Sequence, residues 1–147
     1  MKTYVLKEKE ITKNWYLIDA KDKILGRFAS EVAKILRGKN KPIFSPYIDS
    51  GDHVVIINAS QIKVTGKKLK NKVYRRYSGY PGGLKEVTLE TMLRQKPTQV
   101  LMSAIKGMLP KGPLGNKMLK KLRIYAGATH KQEAQKLKPL EVLIERN

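Results

Sequence analysis

The first clear element in the chain is Trp15-Tyr-Leu-Ile-Asp-Ala20, a short apolar run closed by polar Lys21-Asp22-Lys23, which predicts a strand and a turn. Leu25, Phe28, Ala29, Val32, Ala33 and Leu36 then follow the spacing i, i+3, i+4, i+7, i+8, i+11, one face of a helix predicted over residues 26–37. Lys34 and Arg37 fall in its last turn, where the helix dipole favours cations, and Gly38 is a natural stop. After an extended, proline-punctuated stretch, Val54-Val-Ile-Ile-Asn-Ala59 is apolar without alternation. Continuous β-branched runs of this kind suit a strand buried on both faces, as in a parallel sheet. Strand, helix and strand read together as a βαβ unit with a right-handed crossover. Ile62-Lys-Val-Thr65 predicts a further strand, closed by Gly66.

From residue 66 to 85 the pattern changes. Lys67, Lys68, Lys70, Lys72, Arg75 and Arg76 are followed by Tyr77, Tyr80 and the turn formers Ser78-Gly79 and Pro81-Gly82-Gly83, a projecting basic loop or hairpin. Two helices are expected next. Thr88 caps the first, with Glu90 in its opening turn and Pro97 ending it. Thr98 caps the second, where Leu101, Ala104, Ile105, Met108 and Leu109 keep helical spacing until Pro110. Residues 111–116 read as a loop, 117–121 as a short basic helix, 122–126 as a strand and 141–144 as a final strand. No internal repeat and no domain boundary interrupts the chain, so residues 1–147 are expected to form one α/β domain.

Composition narrows the class. Apolar residues make up 41%, enough for a core, so disorder throughout is excluded, although basic Gly-rich segments could be ordered only by a partner. The chain has no cysteine, which removes disulfides, cysteine-ligated zinc and thiol catalysis and fits a reducing cytosol. No apolar run approaches the roughly twenty residues that span a bilayer. The N-terminal stretch lacks an apolar signal core, and Glu8 and Glu10 make it a poor mitochondrial presequence, so a cytoplasmic protein is expected.

Charge alters the picture most. The formal net charge is +19, and between Asp52 and Glu133 lie seventeen Lys and Arg residues against two acids, Glu86 and Glu90. Such crowding works against a compact state unless a polyanion compensates it, and nucleic acid is the densest polyanion in a cell. Enzyme chemistry finds little support. His53 and His130 do not form a metal-binding spacing, and Asp49-Ser-Gly-Asp52-His53 reads as a strand-entry turn in which Asp49 or Ser50 forms the turn and Asp52 is a local cap. Residues 107–112 have the glycine spacing of a phosphate loop, but Pro113 and Leu114 replace its Lys and hydroxyl residue. Val64-Thr-Gly66-Lys67-Lys68 has Gln61 where the leading glycine belongs. No catalytic residue, metal or cofactor is therefore expected. The lysines and arginines suit phosphates. Tyr74, Tyr77 and Tyr80 suit either stacking on unpaired bases or simple packing, while Trp15 and Phe28 belong to the core. With no helix-turn-helix, zinc finger or basic zipper, lysine-rich loops favour RNA over DNA modestly.

Several segments, in order, resemble a known family: Trp15-Tyr-Leu-Ile-Asp-Ala20, Leu25-Gly-Arg-Phe-Ala-Ser30, Leu36-Arg-Gly-Lys39, Val64-Thr-Gly-Lys-Lys68, Tyr77-Ser-Gly-Tyr-Pro-Gly-Gly83, Lys106-Gly-Met-Leu-Pro110 and Gly115-Asn-Lys-Met-Leu-Lys-Lys121, continuing through Gly127. Over about 120 residues the chain thus resembles the bacterial-type large-subunit ribosomal protein thirteen family. The resemblance implies a three-layer α/β/α fold with a small, mainly parallel sheet and projecting basic loops. It also implies a structural role in the large ribosomal subunit, contact with large-subunit rRNA and neighbouring ribosomal proteins, and participation in early assembly. For some members it implies messenger-RNA binding and translational repression as well. One departure stands out: family members usually carry His-Pro-His where this chain reads His130-Lys131-Gln132, which puts any role of that turn in doubt.

The expected RNA-binding residues fall in two segments, 66–85 and 106–123. The first contributes Lys67, Lys68, Lys70, Lys72, Arg75, Arg76, Tyr77 and Tyr80. The second contributes Lys106, Lys111, Lys117, Lys120, Lys121 and Arg123. No membrane partner and no obligate homo-oligomer is expected. A free RNA-binding regulator and an RNA-modifying enzyme remain the alternatives.

Overall fold

The computed structural model describes residues 4–141. The helical face between Leu25 and Leu36 becomes α1 (Leu25–Arg37), with Phe28, Ala29, Val32 and Leu36 fully buried. Gly38 ends it in the left-handed region (φ 83°), with Gly38 N–H donating to Ile35 O and Lys39 N–H to Lys34 O. That pairing satisfies the last-turn carbonyls as a Schellman motif does. The flanking apolar runs become β1 (Trp15–Asp19) and β2 (His53–Ile57), paired parallel with Trp15 opposite His53 and Asp19 opposite Ile57. The βαβ unit is thus present as the pattern predicts.

After β2 the chain forms α2 (Lys68–Asn71), the antiparallel hairpin of β3 (Val73–Tyr77) and β4 (Leu84–Thr88), and then α3 (Leu89–Gln95). α4 (Pro97–Met108), α5 (Pro113–Leu119), β5 (Leu122–Ile124) and β6 (Lys138–Pro139) follow. The main sheet has the order β5-β2-β1-β6 and every pairing in it is parallel, as expected of an α/β fold. Pro139 lies on the edge strand, where a missing N–H is tolerated.

Val54 and Ile56 face one side of β2 and join Ile18, Phe28, Leu36, Val100, Leu101 and Ile105 in a single core, with α1 packed on α4. Val55, on the opposite face by strand alternation, is also fully buried, outside that cluster. Among the described residues no helix is long and apolar enough to cross a membrane.

Several local expectations are corrected. Residues 62–65 contribute one parallel bridge, Ile24 with Lys63, and no strand, because Gly66 turns the chain at φ 65° directly afterwards. Thr98 does not cap α4: the helix starts one residue earlier, with Pro97 in its first turn, where a missing N–H costs nothing. Helix α5 begins at Pro113, inside the expected 111–116 loop, and ends at Leu119, short of residue 121. Of the strand expected over 122–126, only Leu122–Ile124 is ladder, although Tyr125 N–H still donates to Ile56 O. In the strand expected at 141–144, Glu141 is outside any strand and residues 142–144 lie outside the described residues. Thr88, by contrast, caps α3 as expected, its hydroxyl accepting from Thr91 N–H at 3.4 Å.

Residues 38–52 fold back onto the C-terminal end of α1, and Gly51 makes this possible. A Cβ there would stand 1.8 Å from Leu36 O, a backbone atom that cannot yield cheaply. Gly51→Ala is expected to cost about 3 kcal/mol or more in urea unfolding. At Gly107, where an added Cβ meets nothing within 4 Å on a helix, alanine is expected to gain up to about 1 kcal/mol.

Candidate nucleic-acid interface

The first basic segment is a displayed hairpin. Its tip is closed by Ser78 N–H donating to Gly83 O and Gly83 N–H donating to Tyr80 O. Gly79 and Gly82 adopt φ of 88° and 71°, angles that side chains disfavour. Tyr77 and Tyr80 therefore stand out in solvent, 63% and 75% exposed, while Tyr74 packs against the core with the Lys72 ammonium 5.5 Å from its ring centroid. The open choice between stacking and packing thus divides: Tyr74 packs, and Tyr77 and Tyr80 are free to stack. Arg75 lies directly across the ladder from Glu86 and donates to it at 2.5 Å, so part of its charge is already answered. Lys67, Lys68, Lys70, Lys72 and Arg76 are exposed.

The second segment runs through the end of α4, α5 and β5, and Lys106, Lys111, Lys117, Lys120 and Arg123 are all exposed. Gly115 lets α5 close on Pro110, whose carbonyl oxygen would lie 1.7 Å from an added Cβ. The C-terminal half of α4 borders both segments. Ser103, Ala104, Gly107 and Met108 share a groove with Lys67, Lys68 and Lys72, and Lys106 shares another with Lys111. The fold brings the two basic stretches together along one helix.

Lys121 is the exception. It is 6% exposed, and its ammonium donates to Leu36 O at 3.0 Å, at the C-terminal end of α1, and to the Asp49 carboxylate. Burial pushes its pKa below the ordinary 10.5, against the opposing pull of Asp49. Its charge answers an acid and a helix end and faces no solvent, so it is withdrawn from the RNA-facing set.

The strand-entry turn is likewise more than local. Asp52, fully buried, accepts from Asn14 N–H at 2.8 Å and from the Lys41 ammonium at 2.7 Å, and Lys41 also donates to Thr12 O and Ser50 O. Asp52 therefore caps a chain segment 38 residues away, and Asp49 pairs with Lys13 and Lys121. His53 lies flat on Trp15, ring centroids 4.2 Å apart. Burial first, then the nearby Lys121 and Lys13 ammonium groups, lowers its pKa from the ordinary 6.5. The unfolded chain then binds the proton more readily, so stability is full above pH 6.5 and falls as pH drops below it. Urea unfolding between about pH 7.5 and 5.5 is expected to show this decline, and His53→Phe is expected to flatten it.

Two features have no counterpart in the local sequence pattern. Lys34, Arg37 and Lys39 line a groove with Met108 and extend the basic surface onto α1. The helical spacing of Lys34 and Arg37 is visible in the sequence, but their nearness to α4 is not. In the 130–132 turn, Tyr125 O–H donates to Gln132 Oε1 at 2.6 Å, which ties this turn to the end of β5. Among the described residues no group of three or more His, Cys, Asp or Glu could hold a metal ion.

Comparison with known proteins gives the family. A family model described as Ribosomal protein L13 matches residues 13–131. The large ribosomal subunit protein uL13 of Syntrophus aciditrophicus is 56% identical over 135 residues, covering 92% of this chain and 95% of that protein. That of Bordetella avium is 56% identical over 142 residues, covering 97% of this chain and all of the relative. The Dictyoglomus thermophilum protein is 53% identical over the same length. The chain belongs to the ribosomal protein L13 family.

Proposed function

We propose that this chain is a structural constituent of the large ribosomal subunit that binds large-subunit rRNA and supports early subunit assembly. The family is structural and non-enzymatic, and the relatives are large-subunit proteins by name. The observation that carries the rRNA reading is the placement of charge. Thirteen of the fourteen candidate residues are exposed along two segments that meet at α4. Neither segment contains an acid, and Glu86, just beyond the first, pairs with Arg75. A fold that displays so many unanswered cations suits a partner with regularly spaced phosphates, and Tyr77 and Tyr80 offer faces for unpaired bases. The partners that follow are large-subunit rRNA and neighbouring ribosomal proteins, and the location that follows is the bacterial cytoplasm. Messenger-RNA binding with translational repression is a secondary role the same surface could serve.

Sedimentation separates the readings. After a high-salt wash, the chain is expected to stay with large-subunit particles. Recovery in the free fraction together with messenger RNA would favour a regulator instead.

A further inference from the structure

Between the start of α1, α2 and the C-terminal half of α4 lies a groove of about 800 Å³. Its floor is apolar, made by Leu25, Leu89, Ala104 and Met108. Gly26 and Gly107 form its shelves, and an added Cβ at either would meet nothing within 4 Å, so the space above both backbones is open. Lys67, Lys68 and Lys72 stand at the rim, Thr65, Asn71 and Ser103 supply neutral hydrogen-bonding groups, and among the described residues no acid lines it. This is the composition of a small-molecule-sized site: mostly apolar walls with a few placed polar groups.

We infer that this groove receives a single unstacked nucleotide of the bound RNA, its base against the apolar floor and its phosphates on the rim lysines. The inference rests on the rRNA reading above and adds to it a place where a particular unpaired base is held. Charge complementarity chooses the occupant: an all-cationic rim over an apolar slot suits a phosphate-bearing ring, and unpaired bases are packed between apolar side chains elsewhere. The Asn71 amide, both donor and acceptor, has the groups to read a base edge.

Filling the slot without touching its charge tests this. Gly107→Leu places a side chain in the open space at a helical position, and Gly26→Leu does so from the other shelf, giving a second variant should either fail to fold. Binding of the full chain to purified large-subunit rRNA, measured across a salt series, is expected to weaken about tenfold in each. The salt slope should become shallower by about 0.7 for each phosphate that leaves a rim lysine, although every lysine is retained. Binding to a fully paired RNA duplex is expected to stay at the wild-type level. Unchanged rRNA affinity in folded variants overturns the inference, as does an equal loss on the duplex. Unchanged rRNA affinity with poor incorporation into particles also overturns it, by making the groove a protein-docking site. Absence of rRNA binding by the wild-type chain would instead bring down the broader reading.

Discussion

Replacing Asp52 by alanine is expected to cost about 3–5 kcal/mol of unfolding free energy, a large fraction of what a domain of this size has. Asp52 has no solvent exposure, and Lys41 opposite it is largely enclosed, its side chain only 14% exposed. Removing the carboxylate leaves a confined ammonium facing two carbonyl oxygens with no anion, and it orphans Asn14 N–H at the entrance to β1. Breaking one side of a buried pair is far costlier than the pair is worth, because the surviving charge remains desolvated. Lys41→Met should be comparably damaging, and the double variant should lose less than the sum of the two. Glu90 and Arg94 make the contrast: their i, i+4 pair is exposed, and Glu90→Gln should shift stability by no more than about 0.5 kcal/mol. Equilibrium denaturation of the four variants checks the set, and an Asp52→Ala protein within about 1 kcal/mol of wild type would contradict the account of this network.

The second large effect is on assembly. Changing Lys67, Lys68, Arg75 and Arg76 together to Gln should leave the isolated domain folded, because all four are exposed. The stability loss should come mainly from the Arg75–Glu86 pair, with side chains 66% and 48% exposed and worth at most about 1 kcal/mol. Incorporation into large-subunit particles should fall sharply. Each phosphate left without its cation makes the salt slope of rRNA binding shallower by roughly 0.7–0.9, so four such phosphates reduce it by about 3. Gradient fractionation of cells producing the variant, with denaturation of the purified domain alongside, reads both quantities. Normal incorporation would refute the assignment of this segment.

Residue order reveals whatever depends on local periodicity. Helix α1 and strands β1 and β2 follow from their apolar patterns: α1 buries one stripe, β2 buries both faces, and β1 is a continuous apolar run. Helix α5 does not, because Lys111-Gly-Pro-Leu-Gly-Asn116 is made of residues that usually punctuate loops. Its Gly115 sits where α5 closes on the Pro110 carbonyl, a contact that any side chain would block. The interface divides the same way. A run of lysines predicts cations displayed to solvent, and Lys67 and Lys120 are displayed. It predicts the same of Lys121, although that side chain turns inward to Asp49, 72 residues away, and no local pattern records such a partner. The value of Lys41 is hidden likewise, since its three acceptors come from residues 12, 50 and 52.

Exposed cations along two segments are proposed to hold large-subunit rRNA. The measurement that addresses this most directly is the affinity of the wild-type chain for purified large-subunit rRNA across a salt series. Saturable binding is expected, with a logarithm that falls linearly with log salt at a slope steeper than about −4, the signature of roughly six or more phosphate contacts. Binding that is absent, or that holds its strength between about 50 mM and 200 mM salt, would contradict the proposal.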